Sequence, residues 1–437
     1  MATDINGQTV FVGSIEDLIR MKCAAGRTAP RVDATPETLG PVARDIPRAI
    51  GFWAVAAILF AFLFGTSAPT PLYPIYQRAF GFSAITLTAI YAAYAASGLI
   101  ALLITGRVSD HVGRRPVAVF ALIVQLLAML VFIVAADELM LYIARLLQGL
   151  ATGAAIGALS AWLIDLQPPG SQRRGALVGS TCLLLGLGTG ALGAGLLVEN
   201  TADPLRLVYW VLAVVYLCGL LAMPWIPDAV RHSQQWRGAL KPEIGIPRSA
   251  RDLFWATVPS LVATWALGGL YLSLGPAVAS TLVGGNSPVS AGIVVMSLLG
   301  TAAVASLILR DAAPRVLMIR GSMLLIAGVT VTLAGVFVGS VAALYAGSAI
   351  AGVGLGPAFS AAVRSLVPLA LPQERGALLG AVYIVVYVSF SVPAIVAGAA
   401  TNAFGLGAAT YGYGFVVIGL AAATAYAIAR MGPETKP

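Results

Sequence analysis

The chain has 437 residues, of which 59% are hydrophobic and only 10% carry charge. Water-soluble domains carry roughly 25% charged residues, so an ordinary soluble globule is excluded and most of the surface must face lipid. The formal net charge of +8 does not point to nucleic acid, because no basic stripe is interleaved with aromatics and the arginines gather at the ends of apolar runs.

Residues 1–46 are polar and contain acids before any apolar run begins, which predicts a cytoplasmic N-terminal extension and no cleavable signal. Ser14 and Asp17 have the spacing of a capping box ahead of a short helix, IEDLIRMK. The first apolar run covers about residues 48–68 and is expected to break in PTPLYPIYQ, where Pro69, Pro71 and Pro74 withhold helix hydrogen bonds. The second, about 83–105, leads into a dense stretch, GRVSDHVGRRPV, at residues 106–117. Pro116 opens the third run, which ends near residue 136. The fourth, about 139–166, contains Arg145. A polar loop precedes the fifth, about 176–198, and the sixth, about 207–226, closes the first half.

Residues 227–251 form the longest polar stretch between apolar runs and are read as a linker. Six more runs follow at about 253–282, 288–309, 316–338, 341–366, 377–400 and 407–430, ahead of a polar tail at 431–437. Each is long enough for a helix to cross a hydrocarbon core of about 30 Å at 1.5 Å per residue. Gly, Ala and Ser enrichment suits close helix packing in lipid, and no strand-like alternation suggests a barrel. Cys23, Cys182 and Cys218 have no metal or redox spacing, and the two inside apolar runs read as small core residues.

Basic residues set the orientation. With a cytoplasmic N-terminus, the inner loops hold Arg107, Arg114, Arg115, Arg173, Arg174, the linker cluster, Arg310, Arg315, Arg320, Arg364 and Arg375, while the outer loops hold only Arg78 and Arg206. That asymmetry predicts an even number of spans with both termini in the cytoplasm.

The halves also repeat. Asp311 and Arg315 stand 201 residues after Asp110 and Arg114. The same offset pairs Gln172, Arg174, Gly175 and Gly179 with Gln373, Arg375, Gly376 and Gly380. Leu141, Tyr142, Gly149 and Gly153 recur 203 residues later as Leu344, Tyr345, Gly352 and Gly356. Two duplicated six-helix bundles, residues 47–226 and 252–430, follow from this.

The stretch at 106–117 resembles the signature loop between the second and third helices of the major facilitator superfamily. Gly106, Asp110, Gly113, Arg114 and Arg115 fall on that pattern, with Val108 at its apolar position and His111 at a usually basic one. The later copy is decayed, with Pro314 in place of the glycine. The resemblance implies an all-α integral membrane protein with 12 transmembrane helices in two pseudo-symmetric six-helix bundles. It also implies a cytoplasmic gate in which Arg114 or Arg115 reaches Asp110 and Asp165, with Asp110 facing the helix start near Gly376.

RLLQG, with Arg145 and Gln148 on one helix face, resembles the family's helix 4 motif, associated with proton-coupled members. The alternative is snorkelling of Arg145 to the headgroups. The glycine-dense fifth run, with Gly186, Gly188, Gly190, Gly193 and Gly195, is similar to that of the family's antiporters but lacks their Gly-Pro step, and close packing explains it equally. Tyr73, Tyr76, Tyr91, Tyr94, Trp265, Tyr271, Tyr383 and Tyr387 fall in helices that line the central cavity in family members, where they would hold an aromatic or amphiphilic substrate.

No Asp or Glu stands in the middle of an apolar run, so proton coupling would have to use Asp110, Asp165 or Glu199 near the surfaces. Nothing supports an enzyme, a metal site or a cofactor. The expectation is a monomeric carrier in the cell (inner) membrane, working by alternating access and exporting a small apolar or amphiphilic molecule in exchange for protons. Uptake or facilitated passage of a metabolite, and a non-transporting receptor on the same scaffold, are the alternatives.

Overall fold

The computed structural model describes residues 2–5, 8–11, 46–168, 174–201, 203–228, 243–284, 287–371 and 374–430. Two units are distinguished, residues 1–44 and 45–437. In the first, strand β1 (Ala2–Ile5) pairs antiparallel with β2 (Gln8–Phe11), Ala2 opposite Phe11 and Ile5 opposite Gln8. The sequence reading did not anticipate this hairpin, and the short helix it placed after Ser14 lies outside the described residues.

The described membrane spans are helical, as lipid requires: backbone donors and acceptors without water must be satisfied within the segment. The helices of the first half are α1 (Arg48–Ser67), α2 (Tyr73–Phe80), α3 (Ala84–Val112), α4 (Arg114–Val134), α5 (Glu138–Leu166), α6 (Arg174–Glu199) and α7 (Leu207–Ala222). Those of the second are α8 (Arg251–Ser273), α9 (Gly275–Val283), α10 (Pro288–Ile308), α11 (Pro314–Val338), α12 (Val341–Leu366), α13 (Arg375–Phe404) and α14 (Leu406–Arg430). Twelve spans among the described residues are long and apolar enough to cross a membrane, with α1 and α2 counted as one.

The first boundary differs from expectation. PTPLYPIYQ does not end the helical path: a 3₁₀ turn at Thr70–Leu72 and α2 carry it on. Pro71 and Pro74 each stand in a first turn, where no intrahelical N–H is needed. The seventh run breaks at the same place in the repeat, α9 beginning with Gly275 and Pro276. Both short helices end on a left-handed glycine, Gly81 and Gly284. Side-chain oxygens of Ser83, Asp137, Ser287 and Ser340 cap α3, α5, α10 and α12.

Glycine spacing explains how each half packs. A Cβ on Gly149 or Gly153 of α5 would collide with the carbonyl oxygens of Tyr94 and Gly98 on α3. Gly352 and Gly356 of α12 meet the carbonyls of Leu298 and Ala302 on α10 in the same way. One helix crossing is therefore built twice from one motif. The glycine-dense α6 uses two faces: Gly186 and Gly190 admit α1, while Gly188 and Gly195 admit α10 of the other half. Between halves α6 lies on α10 and α3 on α13, so the second helix of each half meets the fifth of the other.

Large apolar side chains face outward on α4 (Phe120, Ile123, Leu127) and α7 (Trp210, Val214, Leu221), a surface suited to lipid. Cys182 is buried as expected, whereas Cys218 faces outward on α7, so the core reading of that residue is corrected. The second part of the linker packs on its own half: Gly245 N donates to Ala377 O of α13 at 3.2 Å.

Candidate functional site

A cavity of about 1320 Å³ runs between the two halves. Its side walls are apolar, with Leu59, Ile156 and Leu187 from the first half and Leu317, Val382 and Val386 from the second. At one end, the mouth, stand Arg174, Arg310, Asp311 and Arg364. At the other, closed end stand Thr66, Tyr94, Trp265, Tyr387 and Phe390. The volume exceeds the roughly 300–1,000 Å³ of most small-molecule sites, so a drug-sized compound fits with room to spare.

The aromatic candidates divide around this wall. Tyr94, Trp265, Tyr383 and Tyr387 line the cavity. Tyr73, Tyr91 and Tyr271 lie behind it and are nearly inaccessible. Tyr271 shares its hydroxyl with Ser348 Oγ at 2.9 Å and Thr332 Oγ1 at 3.4 Å, inside the second half. Tyr76 donates to the Tyr209 hydroxyl at 3.1 Å, a packing role. Trp265 sets its ring edge-on to Phe359 and Phe390, with centroids 5.2 and 5.9 Å away. Among the described residues its Nε1 has no hydrogen-bond partner, and the hydroxyls of Tyr383 and Tyr387 bond to none.

Arg145 does not snorkel. It is 0% exposed, sealed behind the closed end of the cavity. One Nη1 donates to the Thr66 carbonyl at 2.9 Å and to Gln148 Oε1 at 2.6 Å, while Nη2 donates to the Tyr73 hydroxyl. Gln148 in turn donates to Gly65 O at 2.9 Å, which fixes its oxygen toward the guanidinium. Rings of Tyr73, Tyr94, Tyr91 and Phe132 surround the charge, with centroids 5.4 to 6.0 Å away. No carboxylate among the described residues pairs with it. Sequence spacing alone placed Arg145 and Gln148 on one face; that both stand one layer behind the cavity wall follows from the tight α3–α5 crossing, which puts Tyr94 in front of them.

The signature loop is a tied corner. Gly113 has φ +98°, a left-handed conformation that turns α3 into α4. Arg114, beside it, donates through Nε to Asp165 Oδ2 at 3.0 Å and through Nη1 to Ser109 Oγ at 2.8 Å and to Asp110. Both expected carboxylates are thus gathered on one guanidinium. Arg115 donates its backbone N–H to Asp228 Oδ2 at 2.9 Å and its side chain to the Ile226 carbonyl. Asp228 was missed because it stood in the polar linker; the signal was an acid directly after the sixth run. Gly106 is a contact glycine: a Cβ on Gly157 of α5 would stand 3.2 Å from its Cα.

One expected contact is different. Asp110 makes no hydrogen bond to the described residues at the start of α13, because Arg114 holds its carboxylate within the first half. Near this loop Arg107 pairs with Glu243 of the linker, at 2.8 Å. At the far end Glu199 of α6 accepts from Ser287 Oγ at 3.1 Å and from Val289 N at 3.2 Å, so a first-half carboxylate caps second-half helix α10. Beside it Gly195 lets α6 touch the backbone at Pro288.

Two like six-helix halves around a cavity open at one end have the architecture of a membrane transporter. The sequence profile of the Major Facilitator Superfamily matches residues 55–330, and the chain belongs to that family. The crystal structure of a bacterial homolog to the human lysosomal transporter Spinster, in an inward-facing and unoccupied conformation, is similar in fold. Its TM-score is 0.69 at 12% sequence identity, covering 87% of this chain and 97% of that one. No curated protein matches the chain.

Proposed function

We propose that this carrier exports a small, apolar or amphiphilic compound across the cell membrane, with the cytoplasm on the side of the cavity mouth and protons as the coupling ion. The observation that carries the reading is the cavity of about 1320 Å³, apolar along its sides and open beside Arg174, Arg310 and Arg364. The bias of arginines toward that end supports a cytoplasmic mouth and cytoplasmic termini. A cavity open to the cytoplasm is the state in which an exporter loads.

One observation favours a second reading, passage down a gradient without protons. Among the described residues the one carboxylate lining the cavity is Asp311, at the mouth, where it pairs with Arg310 at 3.3 Å. Coupling would then rest on Asp110, Asp165 or Glu199, outside the cavity. Purified protein in proteoliposomes with an imposed pH gradient separates the two. Flux that follows the gradient supports the exchanger, flux indifferent to it supports the facilitator, and no flux for a broad solute panel supports a receptor.

A further inference from the structure

We propose that the closed end of the cavity is an anion site, and that the carried compound is an organic acid with an apolar body. This rests on the cavity being the transport site. Four observations converge on it.

The first is an uncompensated charge. Arg145 is fully buried, its neighbours are a carbonyl, an amide oxygen, a hydroxyl and aromatic rings, and its Nε has no partner. Thr66 and Tyr94, which touch it, are themselves wall residues. A group entering the closed end therefore meets a positive charge one layer away, across apolar material that screens poorly.

The second is the sign of everything else. Three arginines and one aspartate line the cavity, and that aspartate is paired. The third is a donor on the wall of the closed end: Trp265 Nε1 is buried with no partner among the described residues. Buried polar atoms are ordinarily bonded, so this one awaits an acceptor.

The fourth comes from the duplication. The residue 203 positions after Arg145, four before the matching glycine, is Ser348, and its hydroxyl simply bonds Tyr271. The same helix crossing is built there without a cation. The crossing itself therefore does not require the arginine, which leaves its charge available for another role.

The test is equilibrium binding to the full-length protein in nanodiscs, read as ligand-dependent thermal stabilisation. The probes are phenylbutyrate, phenylbutanol and phenylbutylamine, with naphthylacetate, naphthylethanol and naphthylethylamine as a second body. Within each body the acid should bind at least about tenfold tighter than the alcohol, and the amine weakest. Arg145→Gln should erase the preference, the acid binding no tighter than the alcohol measured in the same variant, and Arg145→Lys should restore part of it. An amine or alcohol that matches the acid, or an acid preference that survives in folded Arg145→Gln, overturns the anion site but leaves the carrier standing. Failure of all six compounds to bind overturns both. If Arg145→Gln does not fold, the wild-type ranking still decides, and Trp265→Phe, which keeps the ring and removes the donor, should weaken the acid selectively.

Discussion

Arg114 Nε lies 3.0 Å from Asp165 Oδ2, tying the start of α4 to the end of α5 within one half of the molecule. The same guanidinium holds Ser109 and Asp110, so it is the hub of the corner. Arg114→Ala leaves two carboxylates without their cation, and the loss should be about 1–3 kcal/mol, toward the lower end because Asp110 is 55% exposed. Arg114→Lys should recover little, since one ammonium nitrogen cannot stand at both the Nε position that reaches Asp165 and the Nη1 position that reaches Ser109 and Asp110. Thermal unfolding of the purified variants in detergent measures both.

Gly113 combines φ +98° with a Cβ position 3.0 Å from Asp228 Oδ2. Gly113→Ala should therefore cost about 1–3 kcal/mol and lower the amount of folded protein recovered. Asp228→Ala should relieve the crowding but remove the cap on Arg115 N, so the double variant should be less destabilised than the sum of the two. A thermal-stability cycle over the four proteins reads this coupling directly.

The duplicated crossings predict matched costs. Gly149→Ala and Gly352→Ala each push a methyl into a carbonyl of the facing helix, and each should cost about 1–3 kcal/mol or more. By contrast Gly412→Ala, whose Cβ would meet nothing within 4 Å, should be nearly neutral. Equal folded yields for all three would remove the backbone-contact account of the two bundles.

Glu199 holds the far closure by capping α10. Glu199→Ala should weaken that closure by about 0.5–2 kcal/mol, the worth of an N-cap, and raise the population open at the far end. Alkylation of a single cysteine introduced at Ala194, which is buried in this state, should accelerate in the variant. Cys23, Cys182 and Cys218 are replaced beforehand.

Much of this was legible in the residues, for identifiable reasons. Apolar run length is a strong signal because lipid tolerates few alternatives to a helix, so α5, α6 and α10 begin and end within a few residues of their predicted bounds, while α3 runs on to Val112, well into the expected loop. Arg114 could be paired with Asp110 and Asp165 because all three stand at one end of neighbouring spans. What was illegible depended on depth or on distant partners. Spacing put Arg145 and Gln148 on one face of α5 but not behind Tyr94, since that depends on how closely α3 approaches. Pro71 and Pro74 looked like a stop because proline's tolerance in a first helical turn leaves its role ambiguous. Asp228 stood unremarked in the linker and Glu199 was read only as a candidate for proton coupling; the fold shows which helix starts they cap. The hairpin of β1 and β2 had one cue, the dipeptide Asn6-Gly7 between alternating residues.

The central claim is that the two halves open in turn at opposite ends. The direct measurement is a pair of spin-label distances in the reconstituted protein: one across the mouth, from Arg174 to Arg310, and one across the far end, from Leu197 to Val289. The account predicts that in the population where the mouth distance shortens the far distance lengthens, with Glu199→Ala shifting weight to that state. Two distances that stay fixed under every condition, or that lengthen together, would contradict it.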